Sequence, residues 1–339
     1  MRKYFLILAA LAAVSCGQTS QPGPTCNTRY AEFFDIPDAR HIVLISPYSG
    51  DRDTVFIDTP VERIVCMSTS HIACLDAIGK DDVIKAVSGL DYVSSAQLRS
   101  RDDVYDIGYD PEINYERILS LNPDAVFAYS VSAVTPQYVT KLRSLGIKVM
   151  MVSDHLENHP LARAEYVRLF GALTGTMDKA DSVFSAVESG YLGLAATADT
   201  ANPRKVLFNL PYDDQWFIPG EDSYMSKLVM DAGGVVLGSV HGTRESGTIS
   251  AERAYLLARE ADIWLNPGSC TTRDQIGEVN PIAGHFGIAH IYNNTLRTNP
   301  EGGNDFWESG AARPDLVLED LIRIMRGEHG SFNYYLEVD

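Results

Sequence analysis

The sequence predicts an α/β protein with two parallel-sheet, Rossmann-like lobes joined by a single long helix. A short motif occurs twice, once in each half of the chain. Strand-like and helix-like segments alternate around each copy, which is typical of a mainly parallel sheet. Between the halves, residues 157–200 show helical periodicity and no strand pattern. Two lobes arranged in this way leave a cleft between them, and such clefts commonly bind a ligand.

The repeated motif is a Glu-Arg pair at the start of a helix. The first copy opens NYERILSLNPDAVFAY (114–129), and the second opens SAERAYLLAREADIWLN (250–266). In each copy about two helical turns lead to an aspartate, Asp124 or Asp262, and then to a short apolar run. The pattern predicts one helix followed by one buried strand in each lobe.

The remaining elements follow in regular order. In the first lobe, residues 62–156, we predict strands at 63–67, 82–87, 125–129 and 147–152, and helices at 71–78 and 136–145. In the second lobe, residues 201–339, we predict strands at 204–210 and 263–266, and helices at 225–232 and 316–325. Before the first lobe, residues 17–61 comprise a polar linker and two strand-like runs, which predict a hairpin turning at residues 49–52.

The segment between the lobes contains apolar residues at helical spacing from about 160 to 194. Gly171 and Gly175 interrupt this pattern, because glycine weakens a helix interior. The segment is therefore either one kinked helix or two. A helical connection of this kind favours small hinge motions between the lobes.

The N-terminus predicts export and lipid attachment. Residues 1–16 form a signal with a basic start and an apolar run that is too short to span a bilayer. The run ends in Ala-Val-Ser-Cys, which resembles a bacterial lipobox, so Cys16 is the expected lipidation site. The alternative is an ordinary secretory signal with an incidental cysteine. We expect a periplasmic protein that is anchored to a membrane through its lipid.

Net charge and cysteine spacing exclude some classes of partner and of metal site. The net charge of −17 argues against nucleic acid or an anionic membrane surface as the partner. Besides Cys16, the cysteines Cys26, Cys66, Cys74 and Cys270 fit no zinc-binding spacing. A Cys66–Cys74 disulfide is compatible with an oxidising compartment, but the sequence leaves their pairing open.

The order of these segments resembles a known family. The chain is similar to the substrate-binding lipoproteins of ABC importers for metal chelates, a group that contains ferric-siderophore, haem and vitamin B12 binders. The resemblance extends over about 62–326 and depends on ERIVCMSTSH, on both Glu-Arg segments, on the helical connection and on the C-terminal run that begins YNNTLRTNPEGGNDFWESG. It implies a small-molecule ligand, an iron or cobalt chelate, and no cofactor of the protein's own.

The resemblance also gives the Glu-Arg pairs a role. In this family, one glutamate at the tip of each lobe docks onto arginines of the permease dimer that works with its ATPase. By position these glutamates are Glu116 and Glu252. A structural role is compatible with docking, because carboxylates are favoured at helix N-termini. The resemblance also implies that the protein is a monomer that binds transiently to a symmetric permease dimer.

The ligand is expected at loops that follow the carboxyl ends of the parallel strands. The candidate binding residues are Ser70, His71, Tyr92, Tyr109 and Tyr129 in the first lobe, and Trp216, Arg244, Ser246, Arg297 and Trp307 in the second. Arg244 stands near a position where the vitamin B12 binder carries an aromatic residue. An arginine there favours a carboxylate-bearing ligand, such as haem or a carboxylate siderophore. The sequence leaves the choice among siderophore, haem and corrinoid open.

Two other classes of function have weaker support. A free Zn²⁺ or Mn²⁺ binding protein of an ABC importer would need clustered histidines. The eight histidines include no HxH pair, and His155 and His159, which are four apart, lie in a stretch that suggests a helix N-cap region. A lipoprotein enzyme is less favoured still, because the sequence contains no Gly-x-Ser-x-Gly, GxGxxG or P-loop motif. We therefore predict a binding protein with no metal site of its own and no catalytic residues.

Overall fold

The structure is a computed structural model that describes residues 28–211 and 215–339. The predicted signal, Cys16 and Cys26 lie outside the described residues. The strands are β1 (Phe34–Asp38), β2 (His41–Ile45), β3 (Arg52–Phe56), β4 (Ile64–Cys66), β5 (Ile84–Val87), β6 (Tyr105–Asp106), β7 (Ala125–Ala128), β8 (Val149–Met151), β9 (Arg204–Phe208), β10 (Trp216–Ile218), β11 (Gly234–Val236), β12 (Gly247–Ile249), β13 (Ile263–Leu265), β14 (His290–Asn293) and β15 (Leu336–Glu337). The helices are α1 (Thr69–Ala77), α2 (Ala96–Arg99), α3 (Tyr115–Leu121), α4 (Gln137–Ser144), α5 (Pro160–Thr174), α6 (Met177–Ala195), α7 (Tyr224–Asp231), α8 (Ala251–Ala258), α9 (Arg273–Val279), α10 (Ser309–Ala312) and α11 (Pro314–Met325).

Two five-stranded sheets form the centres of the two lobes. The first sheet has the order β6-β5-β4-β7-β8 and is parallel throughout. The second has the order β11-β9-β13-β14-β15 and is parallel except for β15. The order β5-β4-β7-β8 in one lobe corresponds to β11-β9-β13-β14 in the other. The prediction of two parallel-sheet lobes is therefore confirmed.

The repeated sequence motif builds the same local structure in each lobe. Asn114 and Ser250 are the N-cap residues of α3 and α8, and their side chains accept hydrogen bonds from the third residue of each helix. Asp124 Oδ2 accepts the N–H of Arg63, the residue before β4, at 2.9 Å. Asp262 Oδ2 accepts the N–H of Lys205 in β9 at 2.8 Å. Each aspartate thus fixes a central strand to its neighbour.

A three-stranded antiparallel sheet precedes the first lobe. The predicted hairpin is present as β2 and β3, and β1 pairs with β2 as a third strand that the sequence pattern did not indicate. Two buried glutamates hold the segment before β1. Glu165 accepts the N–H groups of residues 29–31, and Glu157 accepts those of Glu32 and Phe33, at 2.8–3.0 Å. Each backbone N–H needs an acceptor. The two carboxylates supply the acceptors that a neighbouring strand would otherwise provide.

The connection between the lobes is two helices rather than a single long one. Helix α5 ends at Gly175, whose φ of 70° is in the left-handed region that favours glycine at a helix end. Helix α6 then runs antiparallel to α5. Two contacts show this arrangement: Arg168 pairs with Asp181 at 2.8 Å, and the rings of His159 and Tyr191 lie 6.4 Å apart. The predicted single helix is therefore an antiparallel helical pair.

One hydrophobic core runs through both lobes and the N-terminal sheet. It includes Phe34 of β1, Phe127 of β7, Phe170 of α5, Trp264 of β13 and Leu318 of α11. A second core lies on the other face of the first sheet. The cysteines at 66, 74 and 270 are buried and unpaired, so residues 66 and 74 form no disulfide here. No helix in the described part of the chain is long and apolar enough to cross a membrane.

The loop between β14 and α10 ties the second lobe to the first. Glu308 is buried, and its carboxylate accepts the N–H of Ser94 at 2.7 Å. Asn299 Nδ2 donates to the carbonyl oxygen of Asp91 at 2.8 Å. Burial raises the pKa of Glu308 to about 7, against the opposing effect of the Ser94 N–H.

This raised pKa predicts a pH dependence of stability. A carboxyl group with a folded-state pKa near 7 and an ordinary unfolded value near 4.5 binds a proton more tightly in the folded protein. Its contribution is therefore fully present below about pH 4.5 and is lost as the pH rises through 7. We expect Glu308→Gln to flatten the decline of unfolding free energy between pH 5 and 7 by about 1 kcal/mol per pH unit.

Urea unfolding at several pH values measures this slope. Glu301→Gln is the matched control, since Glu301 is an exposed glutamate on the same loop. A Glu308→Gln variant with the slope of the original protein would contradict the prediction.

Candidate functional site

A cavity of about 910 Å³ lies between the two lobes and the N-terminal sheet. Its first wall is the segment from His155 to Asn158, which follows β8, together with Arg163 of α5. Its second wall consists of second-lobe loops, and its third consists of Phe33, Pro47 and Tyr48 from the N-terminal sheet. The volume is near the upper end of the range of roughly 300–1,000 Å³ for small-molecule sites.

Three strand ends of the second sheet bring asparagines to the cavity. Asn209 follows β9, Asn266 follows β13 and Asn294 follows β14, and all three line the cavity. Asn209 and Asn266 have φ values of 63° and 56°. Asparagine tolerates this left-handed conformation, so both residues turn the chain at the edge of the sheet. The location at the carboxyl ends of parallel strands is the one expected for this architecture.

Arg163 is a fixed positive charge in the wall of the cavity. Its guanidinium donates to the carbonyl oxygen of His155 at 2.6 Å and lies 3.9 Å above the ring centre of Tyr224. These contacts hold the charge in place without a carboxylate partner among the residues that the structure describes. A guanidinium held in this way is suited to pairing with a ligand carboxylate.

Arg244 is the second arginine of the cavity. It is paired with Glu32, which belongs to the segment before β1, by two hydrogen bonds of 3.0 and 3.1 Å. The two side chains are 48% and 44% exposed, so the pair is accessible to solvent. Two parallel N–H donors facing two carboxylate oxygens are the geometry that arginine also offers to a ligand carboxylate.

Aromatic and acidic groups complete the lining. Trp307 is 48% exposed and offers an aromatic face, and Tyr48 of the N-terminal sheet also lines the cavity. Glu245 lies beside Arg244, and burial raises the pKa of Glu157 to about 7. Within residues 28–211 and 215–339, no three His, Cys, Asp or Glu side chains come close enough together to hold a metal ion.

His155 lies at the first wall with one nitrogen fixed. Its Nε2 is 3.1 Å from the carbonyl oxygen of Ser130, so this nitrogen carries the hydrogen. Burial is the main reason that the pKa of His155 is lowered, and the ring is therefore neutral near pH 7. Tyr129, a predicted binding residue, is half-buried and packs edge-on against this ring at 5.5 Å.

Three of the predicted binding residues line the cavity directly: Arg244, Ser246 and Trp307. Tyr92 and Tyr109 are half exposed and form an edge-to-face pair 5.9 Å apart. The carbonyl of Tyr92 packs against Gly303, next to Gly302 of the cavity wall. The two tyrosines therefore lie near the cavity without lining it.

His71 and Ser70 do not lie at the cavity. His71 is 1% exposed on the inner side of α1, where it packs against Phe127 and Phe170. Its Nε2 is 3.4 Å from Asp154 Oδ1, and the carboxylate is buried with it. Ser70 is buried in the same helix and hydrogen bonds to Ser68. The expected role of both residues in ligand contact is therefore wrong, because the helix directs them into the core.

Trp216 and Arg297 are also displaced from their predicted roles. Trp216 is 2% exposed in β10, and its indole N–H donates to the carbonyl oxygen of Phe208 at 2.8 Å. It stabilises the end of β9 instead of facing a ligand. Arg297 lines a different groove, where it pairs with Asp305 at 3.2 Å and lies 4.7 Å above the ring of Tyr334.

The two glutamates of the repeated motif are exposed at equivalent places. Glu116 and Glu252 are each the second residue of their helix, α3 or α8. A hydrogen bond from Ser250 is the main cause of the lowered pKa of Glu252, so this carboxylate remains charged near neutral pH. The geometry leaves both side chains free to meet a partner.

Comparison with known proteins identifies the class of this chain. Residues 64–278 match the family model described as periplasmic binding protein. An uncharacterized lipoprotein of Methanocaldococcus jannaschii is 29% identical over 297 residues, covering 82% of this chain and 68% of that protein. An uncharacterized ABC transporter substrate-binding lipoprotein of Bacillus subtilis, YvrC, is 22% identical over 275 residues, covering 80% of this chain and 79% of that protein.

The fold has relatives among solved structures. The periplasmic haem-binding protein RhuT of Roseiflexus sp. RS-1, in its apo form, superimposes with a TM-score of 0.60. It is 21% identical, and the match covers 78% of this chain and 98% of that one. The family match covers more than half of the chain. The protein therefore belongs to the periplasmic binding protein family.

Proposed function

We propose that this protein is the lipid-anchored, periplasmic substrate-binding component of an ABC importer, and that it delivers an iron chelate, a siderophore or haem, in preference to a corrinoid. The related lipoprotein of Bacillus subtilis is named as an ABC transporter substrate-binding lipoprotein, and one of the solved structures with the same fold is a haem-binding protein. The partners would be a permease dimer with its ATPase, visited by a monomeric binding protein.

The observation that carries this proposal is the pair of arginines in a large cavity with aromatic faces. Arg163 and Arg244 supply positive charge, while Trp307 and Tyr48 supply flat apolar surface. A ligand that is bulky, partly aromatic and decorated with carboxylates satisfies both requirements. Haem has all of these properties and carboxylate siderophores supply the carboxylates, whereas a corrinoid carries mainly amides at its periphery.

Absorbance titration of the purified protein tests the proposal. Saturable spectral changes with iron(III) protoporphyrin IX or with a ferric carboxylate siderophore would support it. Cyanocobalamin tests the corrinoid, and calorimetry with Zn²⁺ or Mn²⁺ tests the free-metal alternative. Binding of bare metal ions with no binding of any chelate would contradict the proposal.

The predicted anchor gives a separate expectation. Cys16→Ala removes the thiol that a lipid would modify, so we expect the protein to lose membrane association or to remain unprocessed. Fractionation of cells into membrane and soluble material, followed by immunoblotting, measures the change. Ser15→Ala is the control, since it alters the adjacent residue and leaves the thiol. Unchanged membrane association of Cys16→Ala would rule out lipidation at this cysteine.

A further inference from the structure

The N-terminal sheet supplies a wall of the cavity from outside the region that matches the family. The family match begins at residue 64, whereas Phe33, Pro47 and Tyr48 line the cavity. Tyr48 is fixed to the first lobe, since its hydroxyl donates to the carbonyl oxygen of Ser130 at 3.2 Å. This wall is therefore a feature of this chain that the matched region does not contain.

The same segment reaches across to the second lobe through one charged contact. Glu32 meets Arg244 with both oxygens, at 3.0 and 3.1 Å. The backbone of Glu32 is held by Glu157 of the first wall, at 2.9 Å. The carboxylate of Glu32 is thus presented from a fixed backbone position to Arg244, which is a residue of the cavity lining.

We propose that Glu32 is a specificity-determining residue: its carboxylate occupies Arg244, and a ligand carboxylate displaces it. The inference rests on the proposed function and names the ligand class as carboxylate-bearing chelates. A chelate without a carboxylate has nothing to exchange for Glu32 and leaves the pair intact. Arg163, which has no carboxylate partner among the described residues, is available to the same ligand without any exchange.

The exposure of the pair makes this exchange feasible. Both side chains are nearly half exposed, and exposed ion pairs are weak because water and salt screen them. Displacing Glu32 therefore lowers the affinity for a ligand carboxylate only modestly, by an equilibrium factor of about two to five. A ligand is selected because its carboxylate must pair with Arg244 more strongly than Glu32 does. Only such a ligand gains affinity from displacing Glu32.

The test uses variants of the full-length protein, in detergent, in which a charged side chain is replaced by the neutral glutamine. Glu32→Gln should tighten binding of iron(III) protoporphyrin IX, which carries two carboxylates, by about two- to fivefold. It should leave binding of the dimethyl ester unchanged. Ferric citrate is a second probe, and it distinguishes a polycarboxylate siderophore from a porphyrin as the source of the carboxylate.

The matched control is Glu62→Gln, which removes an equal charge at an exposed position outside the cavity and away from the Arg244 pair. A double variant, Glu32→Gln with Arg244→Gln, should show no gain relative to Arg244→Gln alone. Equal gains in Glu62→Gln, equal gains for the dimethyl ester, or a gain that persists without Arg244 would each overturn the inference.

The failure of the proposed function would look different. If the unaltered protein and all variants bound neither porphyrin nor ferric citrate, both the function and this inference would fall. If the unaltered protein bound either probe and Glu32→Gln had no selective effect, only the role of Glu32 would fall. Thermal unfolding of each variant verifies that the fold is retained.

Discussion

Methionine in place of both cavity arginines, Arg163 and Arg244, is expected to lower the affinity for a carboxylate-bearing chelate by at least about a hundredfold. A hydrogen bond to a charged group contributes roughly 1.5–3 kcal/mol, which is a factor of about 10 to 150 for each arginine. Methionine retains much of the side-chain volume while removing the charge. Absorbance titration with iron(III) protoporphyrin IX measures the loss.

The chain offers a matched control for this experiment. Arg297 was also a predicted binding residue, but it lies in a different groove with Asp305, so Arg297→Met should leave the affinity unchanged. Arg163→Lys keeps the charge and loses the fork geometry, and an intermediate affinity is expected. Equal losses for the porphyrin and its dimethyl ester would show that the arginines support the fold of the cavity and do not pair with carboxylates.

Reversing the charge of both exposed glutamates, Glu116→Lys with Glu252→Lys, is expected to abolish most uptake while leaving chelate affinity intact. Both carboxylates lie at the start of equivalent helices, one in each lobe, and neither lines the cavity. We propose that these glutamates dock onto permease arginines, as the family resemblance implies. Lysine would then meet those arginines with a like charge, and close interfacial charge pairs are worth about 1.5–7 kcal/mol. We expect at least a tenfold fall in uptake by cells that contain limiting amounts of the protein.

The control is Glu260→Lys, which reverses an exposed charge just beyond the other end of α8. Uptake should remain near normal in this variant. Each single reversal should have a smaller effect than the double one, because the second lobe still provides one correct contact. Normal uptake by the double variant, with lipidation verified, would exclude these glutamates from docking.

Local sequence patterns predicted the frame of both lobes because the frame depends on local interactions. The Glu-Arg motif with its cap residue, and the aspartate that fixes the next strand, are readable within about fifteen residues. Strand β1 was not predicted because the contacts that hold it are not visible in its own sequence. It pairs with β2, and the segment before it is held by Glu157 and Glu165, which are distant in sequence. The antiparallel pairing of α5 and α6 depends on a single left-handed turn at Gly175.

The binding residues were harder to predict, since exposure is a property of the assembled fold. Trp216 lies in a polar, glycine-flanked stretch of sequence, yet the core of the second lobe encloses it. Arg163 is the opposite case, because it lines the cavity although the sequence did not indicate it. It lies within an apolar helical pattern, and the packing of α5 against Tyr224 places it at the cavity. Tyr48 contributes through a contact with Ser130 that no local pattern contains.

The shared hydrophobic core has a practical consequence for identifying the ligand. Because the N-terminal sheet, both lobes and their connecting helices contribute to one core, the body of the protein should melt in a single cooperative transition. A ligand that binds only the folded chain raises the free energy of unfolding by about 2.7 kcal/mol at a hundred times its dissociation constant. One melting curve per compound, without any label or transport assay, would therefore rank a library of chelates.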